Sequence, residues 1–191
     1  MFLRGDRCLG PKCAIVKRSY PPGAHGPSGA PRLTGYGEQL KEKQKAKRVY
    51  GLRELQMKNY YLHAKKTKGN TAQSFFHALE MRLDNVVYLL GFAKSRNQAR
   101  QIVGHRHITL NGRINNRPST QLKVGEKIAI KTTSIKSPFF QTISESLKKH
   151  ETPNWLKLEA NEQSGQIISL PTLADKQLNF DIKTVIEFYS R

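Results

Sequence analysis

Between Leu83 and Ile130 the spacing of apolar residues changes from a helical period to a strand period. This switch restricts the chain to folds that join a short helix pair to a small sheet. Leu83, Val86, Val87 and Leu90 stand at i, i+3, i+4 and i+7, one face of a helix that Gly91 ends. Ser95 followed by Gln98 has the form of a capping box and opens a second helix. Ala99, Ile102 and Val103 line its buried side, while Arg96 and Arg100 share an exposed side with Asn97. After His105 the period becomes two, with Ile108 and Leu110 alternating with polar residues. Asn111-Gly112 supplies a type I′ hairpin turn, Arg113-Ile114 begins the return, and a last strand runs through Ile128 and Ile130.

Charge indicates what such a fold would meet. The 191 residues hold 33 Lys+Arg against 14 Asp+Glu, a net charge of +19, and a polyanionic partner relieves that self-repulsion. A membrane fits less well, because no apolar run approaches the roughly 18–20 residues a spanning helix needs. The opening Met-Phe-Leu-Arg-Gly-Asp lacks the apolar segment of a secretory leader. Through residue 150 there are 29 basic and 8 acidic residues, and afterwards 4 and 6. The last forty residues are therefore expected to face solvent, their own core or another protein.

Residues 1–33 are rich in Gly and Pro and lack periodicity, which predicts a basic arm that orders only against RNA phosphates. A helix opens near Thr34, with Lys41, Lys45 and Arg48 on one face and Lys43 and Lys47 nearly opposite. Gly51 interrupts it, and a second helix carrying Arg53 and the Tyr60-Tyr61 pair runs towards Gly69. That pair can stack on bases, although packing between helices is favoured. Asn70-Thr71 is capping chemistry for a third helix with Phe75, Phe76 and Leu79 inside. Near the end, Ile182, Val185, Ile186 and Tyr189 form one apolar helical face that closes the core or borders a protein neighbour.

The stretch "SRNQARQIVGHRHITLNGR" resembles the RNA-binding module named after the fourth small-subunit ribosomal protein, with Arg100, His105 and the Asn111-Gly112-Arg113 turn as its usual features. That module also occurs in tRNA synthetases and pseudouridine synthases. The flanks "YGEQLKEKQKAKRVYG", "KGNTAQSFFHALEMRLDNVVYLLGF", "PNWLKLE" and "IKTVIEFYSR" resemble the bacterial-type ribosomal family itself, over essentially the whole chain. The resemblance implies an α+β fold: an arm (1–33), a helical rRNA-binding domain (34–80 with 176–191), and an inserted domain of a helix pair and small antiparallel sheet (81–175, module 82–130). It implies no enzymatic activity. The expected role is a structural constituent of the small subunit that binds a multi-helix junction in the 5′ domain of its rRNA and nucleates assembly. The family also sits near the path by which messenger RNA enters, beside the third and fifth small-subunit proteins, with an influence on accuracy. The expected setting is the cytoplasm of a bacterium, an organellar ribosome being the alternative. Expected RNA contacts are Lys41, Lys45, Arg48, Arg53, Arg82, Lys94, Arg96, Arg100, His105, Arg106, Arg113 and Arg117.

Two features invite other chemistry. "MRLDNV" resembles the Arg-Leu-Asp motif of pseudouridine synthases, whose aspartate is the nucleophile. Asp84, however, falls inside a periodic helix just before Val86, and helix-terminal charge or a salt bridge explains it better. The chain's two cysteines, Cys8 and Cys13, resemble the second of two cysteine pairs in zinc-binding family members. Two thiolates cannot complete a tetrahedral shell, so one structural zinc is expected only if a first pair lies upstream of Met1. The alternative is a lineage that lost half the site and keeps free thiols. His25, a candidate third ligand, sits in the "PPGAHG" turn that the family shows without metal.

Overall fold

The computed structural model describes residues 3–29, 32–147, 150–159, 161, 163–173 and 178–191. Two one-turn helices, α1 (Asp6–Leu9) and α2 (Ala14–Lys17), lie in the arm. Three longer helices follow: α3 (Gly35–Val49), α4 (Glu54–Lys66) and α5 (Thr71–Glu80). Thr34 caps α3 by accepting the Gly37 N–H, and Asn70 caps α5 by accepting those of Ala72 and Gln73. One hydrophobic core gathers Ala46, Met57, Tyr61, Phe75, Phe76 and Leu79 with Phe180, Ile182 and Val185. The last two belong to α10 (Ile182–Ser190), the closing helix, which packs on α3. The apolar face of the chain's end thus closes this helical core.

The second half starts two residues after α5. Helices α6 (Leu83–Leu89) and α7 (Arg96–Gly104) lead into strands β1 (Ile108–Leu110), β2 (Arg113–Ile114) and β3 (Lys127–Ile130). Helices α8 (Thr132–Ile135) and α9 (Pro138–Leu147) follow, then strands β4 (Leu156–Glu159) and β5 (Ser164–Ile167). The sheet is antiparallel throughout, in the order β2-β1-β3-β5-β4. Leu83, Val86, Val87, Leu90, Ala99, Ile102 and Val103 pack with Ile108, Ile128, Ile130 and Ile167 in a second core. The fold is α+β.

The β1–β2 turn has the positive backbone angles of a type I′ hairpin, φ 50° at Asn111 and 80° at Gly112. Asn111 also tethers β3: its N–H donates to the Lys127 carbonyl at 2.8 Å and its Oδ1 accepts the Lys127 N–H at 2.9 Å. Gly165 of β5 lets the sheet close on α6, because a Cβ there would stand 2.4 Å from the Leu90 Cδ2.

Three expectations need correction. Ser95 does cap α7, but the Gln98 side chain accepts the Lys94 N–H instead of completing the box on Ser95. The arm takes part of its order from the protein, since Leu3 packs against the helical core and Asp6 pairs with Lys94 at 2.7 Å. The strand through Ile128 and Ile130, expected as the last, is followed by two more: β4, whose Leu-Lys-Leu-Glu alternates, and β5, whose Ser-Gly-Gln-Ile does not. The expected boundary at 175/176 lies outside the described residues.

Candidate nucleic-acid interface

The all-round basic character of α3 resolves into two faces with different work. Lys43 and Lys47 turn inward to Glu54 at the head of α4, at 2.9 and 3.2 Å, and the Tyr189 hydroxyl donates to the same carboxylate at 2.8 Å. Lys43 also lies 4.4 Å from the Phe188 ring centroid. Partial burial pushes the Glu54 carboxyl up, but hydrogen bonds from Lys43, Tyr189 and Lys47 outweigh it and hold the group below its ordinary range. A depressed carboxylate stabilises the fold above its unfolded value and loses that contribution as pH falls through the folded one. Unfolding midpoints measured in urea are therefore expected to drop below about pH 4.5, and Glu54→Gln is expected to flatten that drop. An unaltered pH profile in Glu54→Gln would refute the assignment.

On the other face, Lys41 and Arg48 are exposed, and Lys45 is half-buried and paired with Glu42. Arg53, exposed, is the N-cap of α4. Arg48 meets the head of α7 across a cleft of about 270 Å³, lined also by Lys94, Arg96, Asn97 and the arm residues Gly5 and Asp6. Cations from both halves thus share one concavity, to which the arm adds Asp6, paired with Lys94. Further along, His105 caps the C-terminal end of α7, and Arg106 holds a left-handed φ of 63° beside it. Arg113 and Arg117 are exposed on the hairpin and the loop beyond it. The His107 imidazole contacts the Ser134 hydroxyl at 2.9 Å and lies against Phe140; burial, then the nearby His105 and Lys131, lowers its pKa.

Besides Lys45, paired with Glu42, and Lys94, paired with Asp6, three of the expected contacts are engaged by the protein itself. Arg82 has no exposed surface: its Nε and Nη2 donate to the two oxygens of Asp84 at 3.0 and 2.6 Å, and its Nη1 donates to the Tyr60 hydroxyl at 2.7 Å. It leaves the set of RNA contacts, because a guanidinium bound on every side has nothing to offer a phosphate. Arg96 is half-buried, its Nε donating to Asn85 and its plane lying between Tyr50 and Tyr88. Arg100 donates to the Gly51 carbonyl at 3.2 Å and stands 3.7 Å from Asp84. Asp84 is thus a buried counter-ion, and Tyr61 packs against Tyr189 instead of offering its face to a base.

Periodicity contains cations that the sequence reading passed over. Met57, Tyr61 and Ala64 mark the buried stripe of α4, which leaves Lys58, Lys65 and Lys66 outside with Lys68 beyond. Arg4, Arg7, Lys12, Lys17 and Arg18 of the arm are exposed as well. For zinc, the fit fails: among the described residues no group of three or more His, Cys, Asp or Glu could hold a metal ion. Both cysteines are free, the Cys8 Sγ accepts the Arg4 N–H at 3.3 Å, and His25 is exposed. Among the described residues no helix is long and apolar enough to cross a membrane.

A basic arm, a helical body and a helix-pair-plus-hairpin module, each with exposed cations, and a seam where Arg48, Lys94 and Arg96 meet, define a non-catalytic RNA-binding protein. Sequence comparison agrees: a profile of the ribosomal protein S4/S9 N-terminal domain matches residues 1–80, and a profile of the S4 domain matches residues 81–128. Small ribosomal subunit protein uS4 of Heliobacterium modesticaldum is 46% identical over all of this chain and 91% of its own length. The uS4 proteins of Desulfitobacterium hafniense and Thermus thermophilus are 46% and 44% identical over the same shares. The chain belongs to the uS4 family of small-subunit ribosomal proteins, a structural family and not one of enzymes.

Proposed function

We propose that the chain binds the small-subunit rRNA directly at a multi-helix junction of the 5′ domain, holds that junction for later assembly steps, and works in the cytoplasm. The observation that carries this reading is the cleft at which Arg48 of the helical half and Lys94 of the module face one another. Two cationic surfaces held at a fixed angle suit RNA helices that diverge from a junction, where backbone and shape are read and A-form major grooves are closed to side chains. The contact set is Lys41, Lys45, Arg48, Arg53, Lys94, Arg100, whose side chain stays 42% exposed, His105, Arg106, Arg113 and Arg117, aided by the arm and the outer face of α4. A place beside the incoming messenger RNA and the third and fifth small-subunit proteins, with an influence on accuracy, follows from the family likeness.

Filter binding of a 5′-domain rRNA fragment across a salt series tests the reading. Affinity is expected to fall steeply with salt, and the double variant Arg113→Ala/Arg117→Ala to reduce the slope of log K against log salt by about 2, roughly one for each lost phosphate contact. An unchanged slope would remove the hairpin from the contact surface. Equal affinity for an unrelated duplex would overturn the junction assignment.

A further inference from the structure

Arg96 sits in a closed ring of directional contacts that crosses the seam between the two cores. Its Nε donates to the Asn85 Oδ1 at 2.8 Å, and the Asn85 Nδ2 donates to the Glu80 carbonyl and Oε2, both at 2.9 Å. The other Glu80 oxygen accepts the Tyr50 hydroxyl, and the Arg96 guanidinium returns to the Tyr50 ring at 5.3 Å while covering Tyr88 at 4.5 Å. Tyr50 belongs to the helical core and Glu80 ends α5, whereas Asn85, Tyr88 and Arg96 lie on the module side. Burial and the adjoining Glu80 push the Tyr50 phenol well above its ordinary pKa, so it stays a hydrogen-bond donor.

The ring adds buried, directional bonds to a seam that few other hydrogen bonds cross, among them Arg82 to the Tyr60 hydroxyl, Arg100 to the Gly51 carbonyl and Gln121 to the Ala78 carbonyl. Apolar contact is non-directional and permits one body to rock on another. The α5–α6 junction is only Met81 and Arg82, which limits separation but not tilt. A buried polar ring behaves otherwise, since rotation breaks the two bonds from the Asn85 Nδ2 to Glu80 and the contact of Arg96 with the Tyr50 ring, and strands the amide donor of Asn85, about 1% exposed. The ring also adjoins the cationic cleft, whose lining includes Arg96 itself with Arg48 on one side and Lys94 on the other.

We infer that Arg96 is a positioning residue for RNA binding: through the Tyr50–Glu80–Asn85 ring it sets the angle at which the helical half and the module present their cations to one folded RNA. This rests on the junction-binding reading above. The guanidinium fork is essential to it, because a lysine would keep the charge but has no Nε donor and no plane to lie between two tyrosine rings. The chemistry recognised is that of two phosphate backbones held at a set divergence, so a mis-set angle costs affinity without removing any phosphate contact.

The test uses the full chain, with Cys8 and Cys13 changed to serine and spin labels at Lys183 and Lys123, one on each half and both outside the contact set. Pulsed electron paramagnetic resonance gives the distance between labels, and filter binding gives affinity for the rRNA fragment across salt. Arg96→Lys is expected to weaken binding about tenfold, the scale of one charge-assisted hydrogen bond, with an unchanged salt slope and a broadened distance distribution. Tyr50→Phe, which keeps the ring and removes the hydroxyl, is expected to act in the same direction. The double variant should then fall short of the sum of the two. Parent-like affinity in Arg96→Lys would overturn the inference. So would lost affinity with an unbroadened distribution, which is how a direct phosphate contact behaves. Should Arg96→Lys fail to fold, judged by Trp155 emission and helical circular dichroism, Tyr50→Phe carries the same two expectations alone. A parent protein that does not bind the fragment would refute the junction reading instead, and the distance distribution would still decide the ring.

Discussion

Asp84→Leu is expected to destabilise the protein by about 3–5 kcal/mol, because it strands the Arg82 charge where no solvent reaches. Arg82 is 0% and Asp84 5% exposed, and their two parallel N–H···O bonds satisfy both carboxylate oxygens. Tyr60 and Arg100 meet the same pair from other sides, so its loss is felt in α4 and α7 together. Urea denaturation monitored by the single tryptophan reads the change as a lower midpoint at constant m-value. The double variant Arg82→Met/Asp84→Leu is expected to recover most of the loss, since a buried ion pair replaced by packed apolar groups is often neutral. A mild Asp84→Leu phenotype would show that the pair is hydrated and the burial argument wrong. Uridine isomerisation is expected in neither parent nor variant, as the carboxylate is held by a guanidinium and turned away from any cleft.

Val185→Asp is expected to detach α10 and unfold the helical half, at about 4–5 kcal/mol or more, by placing an unpaired charge in an apolar core. Val185 is fully buried beside Phe180 and Ile182, and α10 also brings Tyr189 to Glu54 and its ring against Tyr61. Trp155 lies in the other core, so two signals separate the halves. Helical circular dichroism is expected to fall at low urea, while the Trp155 emission shifts at a higher concentration. Coincident loss of both signals would mean that the seam makes the two cores one cooperative unit. Rescue by Val185→Ala, a smaller cavity without charge, would separate the electrostatic penalty from lost packing.

How much could be read from the chain depended on the range of the interaction. The α6–α7 pair and the hairpin were legible because their signals are local: an i, i+3, i+4 stripe ending at Gly91, a serine before α7, an Asn-Gly pair at the turn. Strand β5 was not, since Ser164-Gly-Gln-Ile167 has no alternation of its own and becomes a strand by pairing with β3 and sealing Leu90 under Gly165. The roles of the cations split along the same line. Helical spacing puts Lys43 and Lys41 on different faces, but only the packing of α4 and α10 on α3 decides that Lys43 turns to Glu54 and Phe188 while Lys41 stays in solvent.

By itself, then, the sequence determined the polyanionic partner and the helix pair with its hairpin, since charge balance, hydrophobic period and turn chemistry act over a few residues and survive without coordinates; the module and the family came from the resemblance of its motifs and flanks. Only the tertiary structure decided which arginines the protein itself engages, and how fully. Arg82, Arg96 and Arg100 are as basic on paper as Arg113 and Arg117. Their partners Tyr60, Asn85, Tyr50 and Gly51 come from other helices or the turns between them, and whether a guanidinium meets a phosphate or a buried carboxylate is settled by what folding brings within 3 Å of it.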